Sequence, residues 1–102
     1  MQLKPGRRLR SAADSTEVVV VRAPAEPVDL RCGGHPMVAL DLEPAAALDI
    51  KDGFGGGTQL GKRYGGEDVA LELLCTKAGE GALSIGDLLL PVKGSKPLPS
   101  SD

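Results

Sequence analysis

The chain is nearly without aromatic residues. Phe54 and Tyr64 stand alone, and tryptophan is absent. A core for these 102 residues must then be built from Val, Leu, Ile and Ala. Single-stranded nucleic acid, usually held on stacked rings, loses its platform. Positive charge is not in excess either. The net charge is −2, which speaks against nucleic-acid or anionic-membrane partners, since both need clustered cations. No apolar run approaches the length of a membrane span. The basic start (Lys4, Arg7, Arg8, Arg10) leads into no apolar stretch of the kind a secretory signal carries, so a cytoplasmic setting is expected. Cys32 and Cys75 are too few for a disulfide framework. In a reducing compartment they are expected as free thiols or metal ligands.

What the chain does have is β-branched and aliphatic sequence broken by turn residues. Thr16 to Arg22 holds four consecutive valines, Val18 to Val21. Side chains stiff at χ1 resist a helix and suit a strand covered on both faces. Pro24 and Pro27 end it, because proline cannot donate to a ladder. Val28–Arg31 and Met37–Leu40 read as a hairpin around the tight loop Cys32-Gly33-Gly34-His35-Pro36. Glu43 to Leu48 permits one helical turn with Pro44 at its first position. Asp49 to Gly57, with glycine at 55, 56 and 57, reads as a flexible loop, and Thr58 to Tyr64 as a short edge strand.

Glu67 to Lys77 reads as a strand rather than a helix, because Val69, Leu71, Leu73 and Cys75 recur at period two. Ala82–Ile85, Gly86-Asp87 and Leu88–Leu90 have the spacing of a hairpin with a two-residue turn. A turn at Ala78–Gly81 would precede it and complete an antiparallel meander. The expected organisation is an N-terminal arm over 1–15, one β-rich domain over 16–92 and a polar tail over 93–102. The fold class is mainly β: a small antiparallel sandwich or partly open barrel of about six to eight short strands.

One motif carries candidate chemistry. Cys32-Gly33-Gly34-His35 resembles half of a zinc knuckle, in which one tight turn offers a thiolate and an imidazole to a single ion. A tetrahedral site needs two further ligands. Cys75 is the expected third, and Asp14 or Asp29 the fourth. Zn²⁺ or Fe held there would be structural, stapling a domain with a small core. The plainer reading of the same residues is a turn using Gly33 and Gly34 for positive φ, a buried thiol and a surface imidazole.

Gly56 to Lys62 matches the spacing of a phosphate-binding loop, but Arg63 stands where Ser or Thr should hold magnesium, and no helix follows. Cys32 and His35 also allow a nucleophile–base pair, without an identifiable third group to orient the base.

The continuous apolar runs Val18–Val21 and Leu88–Leu90 imply covering layers, either from the same chain or from a second copy. The expected function is therefore a non-enzymatic β-rich module, a homo-oligomer or an accessory subunit bound to a partner protein. Two alternatives come from other classes: a small-molecule binding protein whose mouth is the 49–62 loop, and a small enzyme using Cys32 and His35.

Overall fold

The computed structural model describes residues 2–42, 48–66 and 70–92. The chain is all-strand across these residues. In chain order the strands are β1 (Arg8–Arg10), β2 (Glu17–Arg22), β3 (Leu30–Cys32), β4 (His35–Pro36), β5 (Val38–Ala39), β6 (Arg63–Gly66), β7 (Leu71–Lys77), β8 (Leu83–Ile85) and β9 (Leu88–Leu89). They form two antiparallel sheets, ordered β5-β1-β2-β7-β6 and β4-β3-β8-β9. The expected mainly β sandwich is what the chain builds. The barrel is not formed, because the sheets remain separate. Nine strands among the described residues exceed the expected number, because Arg8–Arg10 is a strand and because the chain changes sheet between His35–Pro36 and Val38–Ala39.

The valine strand β2 is central, with β1 on one side and β7 on the other. Its inward residues join two cross-strand rows. Leu9, Val18 and Cys75 form one row, and Val20, Leu73 and Tyr64 the other. All six are buried, and they pack with Leu30, Cys32 and Leu83 of the opposing layer and with Met37 of the β4–β5 link. Fully burying side chains of this size stabilises by about 1.5–3 kcal/mol each relative to leaving them exposed.

The expectation that both faces of the valine run are covered needs correction. Val19 is half-buried, and Val21 is 41% exposed. Val19 pairs with Leu74 on the outer face, and the row continues to Arg8 and Arg63 at either end. Arginine stems flanking a single apolar pair take the place of a second layer. Val21 is the unpaired residue of a β-bulge, since Val20 pairs with Leu73 and Arg22 with Glu72. Leu88 and Leu89 are likewise open, at 72% and 49% exposure, because β9 is an edge strand; only Leu90 is buried.

Other elements differ in how they join. The Gly33-Gly34 turn is as expected: both glycines have positive φ, 66° and 86°, and Cys32 pairs with His35. The strand that closes this hairpin is His35–Pro36; the one expected over Met37–Leu40 runs only over Val38–Ala39 and pairs with β1 in the other sheet. Arg8–Arg10, expected within an arm, is thereby a strand between β2 and β5. The final hairpin forms as read, with Ile85 opposite Leu88. The meander does not, because β7 and β8 belong to different sheets and Ala78–Ala82 crosses between them. The possible helical turn at 43–48 falls largely outside the described residues, as do Val69 and the tail 93–102.

Alternation along β2 has a measurable consequence. Val20→Ala should lower unfolding free energy by about 1.5–3 kcal/mol in urea titration. Val21→Ala, one position along, should stay within about 0.5 kcal/mol. Equal losses at the two sites would contradict the pattern of burial.

Candidate functional site

The β1–β2 connection, Ser11 to Thr16, is a compact polar turn closed by Ser11 N–H donating to Thr16 O at 2.9 Å. Ser11 Oγ accepts the amides of Ala13 and Asp14, as short hydroxyl side chains do in turns. This brings the Asp14 carboxylate under the crossing from β7 to β8. Gly81 N–H donates to Asp14 Oδ2 at 2.6 Å, and Thr16 Oγ1 donates to the same oxygen at 2.7 Å. Because the single Thr16 hydroxyl proton goes to Asp14, Thr58 is the donor in the 3.1 Å contact between the two threonine hydroxyls. Thr58 Oγ1 in turn accepts Gly79 N–H at 3.0 Å. Thr16, Thr58 and Ser11 are all buried, so each bond satisfies a group that water does not reach.

Glycine is required at the crossing for space. A Cβ on Gly79 would strike Asp14 Oδ2 and Thr16 Oγ1, and one on Gly81 would meet Gly33 N at 2.9 Å and Cys32 Sγ at 3.1 Å. The Asp14 hub therefore depends on close approach of bare backbone.

Of the proposed metal ligands, the structure brings together Asp14 and Cys32, whose Sγ donates to Asp14 Oδ1 at 3.7 Å. His35 is half-buried, and its Nε2 donates to Asp49 O at 2.7 Å. Cys75 Sγ is bonded to Lys77 O at 3.3 Å. Asp29 is paired with Arg31 at 3.0 Å. Among the described residues no three His, Cys, Asp or Glu side chains converge. The turn is tied to its neighbours by Gly33 N–H donating to Ala82 O and by Gly33 O accepting Lys51 N–H.

The electrostatics fit a structural role for the hub. Burial and the neighbouring Asp14 carboxylate push the Cys32 thiol up to about 12, so it is a protonated donor at neutral pH. Burial alone would raise Asp14, but hydrogen bonds from Ser11, the Gly81 amide and Thr16 outweigh it and hold the carboxyl below its ordinary value. Cys32 and His35 have separate partners rather than each other. The 49–62 loop is tied down by Lys51 N–H to Gly33 O, Thr58 N–H to Gly79 O, Gly61 N–H to Cys75 O and Lys62 N–H to Gln59 O, which uses these four amides internally. Gly61 and Lys62 thus give none of the free amides that the phosphate-loop spacing would require.

Two surface features remain. One is an open cleft of about 400 Å³ at the β2–β3 link, lined among the described residues by Pro24, Glu26, Pro27, Val28, Asp29, Ala70 and Ile85. None of these belongs to the 49–62 loop, where a small-molecule mouth was expected. The other is the β9 edge.

The four sheet edges are not alike. β4 contains Pro36, which has no N–H. β6 is covered by Pro91 and Val92, through Gly65 N–H to Pro91 O and a Tyr64–Val92 bridge. At β5 the Ala39 carbonyl is taken by Leu42 N–H. β9 has no such cover among the described residues, and its two leucines are exposed. Sequence reasoning read Leu88–Leu90 as covered and so missed this edge; Pro91 immediately after the run was the signal that the strand stops there.

The chain matches no protein-family model, no curated protein and no solved structure.

Asp14→Ala should cost about 1–3 kcal/mol in denaturant unfolding, because it orphans the Gly81 amide and the Thr16 hydroxyl. Since the folded pKa lies below the ordinary 3.8, the ionised hub stabilises fully above that value, and its contribution fades as pH falls through the folded pKa. The stability gap between wild type and Asp14→Ala should therefore narrow in acid. In a separate assay, Cys32 and Cys75, both buried, should resist a disulfide reagent in the native protein and react together once it is unfolded. Fast reaction of a native thiol would contradict this arrangement.

Proposed function

We propose that the chain is a non-enzymatic β-sandwich module that pairs with a second copy of itself along β9. The supporting observation is the contrast between edges: β9 alone among the described strands combines an uncovered ladder with exposed Leu88 and Leu89. Leu90 N–H is taken by Leu83 O. By ladder alternation, the Leu89 amide and carbonyl then face outward.

An antiparallel partner centred on Leu89 exchanges these two groups in one hydrogen-bonded pair. The same two-fold register places Leu88 opposite the other copy's Leu90 and Asp87 opposite its Pro91. No like charges meet across the seam, and a self-complementary contact of this kind closes at two subunits. Exposed leucine on a bare edge is otherwise an aggregation hazard, which pairing removes. Leu42 and Leu60 are also exposed but stand on no strand, as scattered surface residues do. The free, buried state of both cysteines supports a reducing setting such as the cytoplasm.

Sedimentation velocity should show a dimer that Leu89→Lys converts to monomer, with the circular dichroism spectrum unchanged. Leu60→Lys should leave the dimer intact. A wild-type monomer at the highest soluble concentration, including one that binds another protein instead, would overturn self-pairing, as would a dimer indifferent to Leu89→Lys.

A further inference from the structure

The cleft at the β2–β3 link is independent of β9 pairing and has a definite chemistry. Its described lining is apolar at Pro24, Pro27, Val28, Ala70 and Ile85. The other two residues, Glu26 and Asp29, are both acidic, and no basic residue lines it among those described. A volume of about 400 Å³ lies within the range of small-ligand sites, roughly 300–1,000 Å³.

The walls are held before any ligand arrives. Prolines at 24 and 27 fix φ on both sides of the link. Gln2 Nε2–H donates to Ala25 O at 2.8 Å, and Gly86 N–H donates to Asp29 O at 2.8 Å, which ties the link to the turn of the final hairpin. The lining also includes Ala70 in left-handed backbone, φ 53°, where glycine would be the relaxed choice. Ile85 stands in a cross-strand row with Leu30 and Leu88, so the apolar wall continues along the four-stranded sheet.

The two acids differ in availability. Asp29 is engaged by Arg31, through Nη2 at 3.0 Å and Nε at 3.1 and 3.2 Å. Glu26 has neither hydrogen bond nor ion pair with any described residue and is exposed at the rim. Pro24 and Pro27 have no amide to offer an anion. An anionic ligand would thus meet a carboxylate and a wall short of donors, while a cationic one would find its counter-charge beside an apolar floor.

We infer that this cleft binds an alkylammonium group: an apolar body against Pro27, Val28 and Ile85, with a protonated amine at Glu26. Such a group comes either as a free aliphatic amine or as the lysine side chain of an extended apolar peptide. In both cases the chain's stem lies on the apolar wall and the nitrogen stays partly hydrated, as amphipathic cations do.

The test follows methyl resonances of Val28 and Ile85 while the full chain is titrated with hexylamine, hexanol and hexanoate at neutral pH. Hexylamine should shift both resonances at the lowest concentration, hexanol at a higher one and hexanoate least. Glu26→Gln, a change at an exposed position, should weaken hexylamine about threefold and leave hexanol unchanged, the scale of one partly hydrated ion pair. Acetyl-Leu-Lys-Leu-amide identifies the source. Tighter binding than hexylamine assigns the site to peptide lysine, and weaker binding assigns it to free amines. Equal shifts by hexanoate and hexylamine, no shift by any probe, or hexylamine binding indifferent to Glu26→Gln would overturn the inference. The ligand series reads charge preference on the wild-type protein, so it remains decisive if the variant is compromised.

Discussion

One carboxylate stands where three parts of the chain meet. Asp14 is on the β1–β2 turn; it receives Gly81 from the crossing between sheets and Cys32 from β3, and through Thr16 it reaches Thr58 and Gly79. A sandwich with so few aromatic residues gains less from each buried side chain than one packed on rings. Its layers must then be located by something directional. Hydrogen bonds to an ionised acceptor, here a half-buried one, are among the stronger directional contacts available. The hydrophobic rows on β1, β2, β7 and β6 make the interior, and the hub fixes how the second layer is carried over it.

The glycines at this crossing are part of the same constraint. Gly79 and Gly81 are not there for positive φ, which neither adopts. They are there because a Cβ would strike Asp14 and Thr16 at the first and Gly33 and Cys32 at the second. Gly33 and Gly34 answer a different demand, the left-handed pair of a two-residue hairpin turn. Two kinds of glycine thus meet within a few ångströms. Only the second kind has a local signature that one sequence reveals.

That distinction accounts for what was legible in advance. The inward placement of Leu71, Leu73 and Cys75 was readable because alternation of side chains is a local property of a strand; the burial of Glu72 on the other face was not. So were the two hairpin turns, which depend on neighbouring residues alone. The sheet to which each strand belongs was not readable, since Val38–Ala39 and Leu83–Ile85 choose partners by long-range packing. The valine run misled for a related reason. A bulge at Val21 and flanking arginines dispose of its outer face without a covering layer. Cys32, His35, Cys75 and Asp14 were grouped by residue type, and of these only Asp14 and Cys32 are in contact. The partners that matter to Asp14 are hydroxyls and amides, which carry no motif.

The order of strands in the larger sheet has a bearing on synthesis. β2 lies between β1, which is made just before it, and β7, which is made only after β3, β4, β5 and β6. Until then one margin of the most apolar strand has no native neighbour, and its unpaired amides and valines are open to chance encounters. Such delayed long-range closure is slow and leaves nascent chains vulnerable to clumping. The fold is thus most exposed to misassembly between the synthesis of β2 and that of β7, before the strand that completes its interior exists.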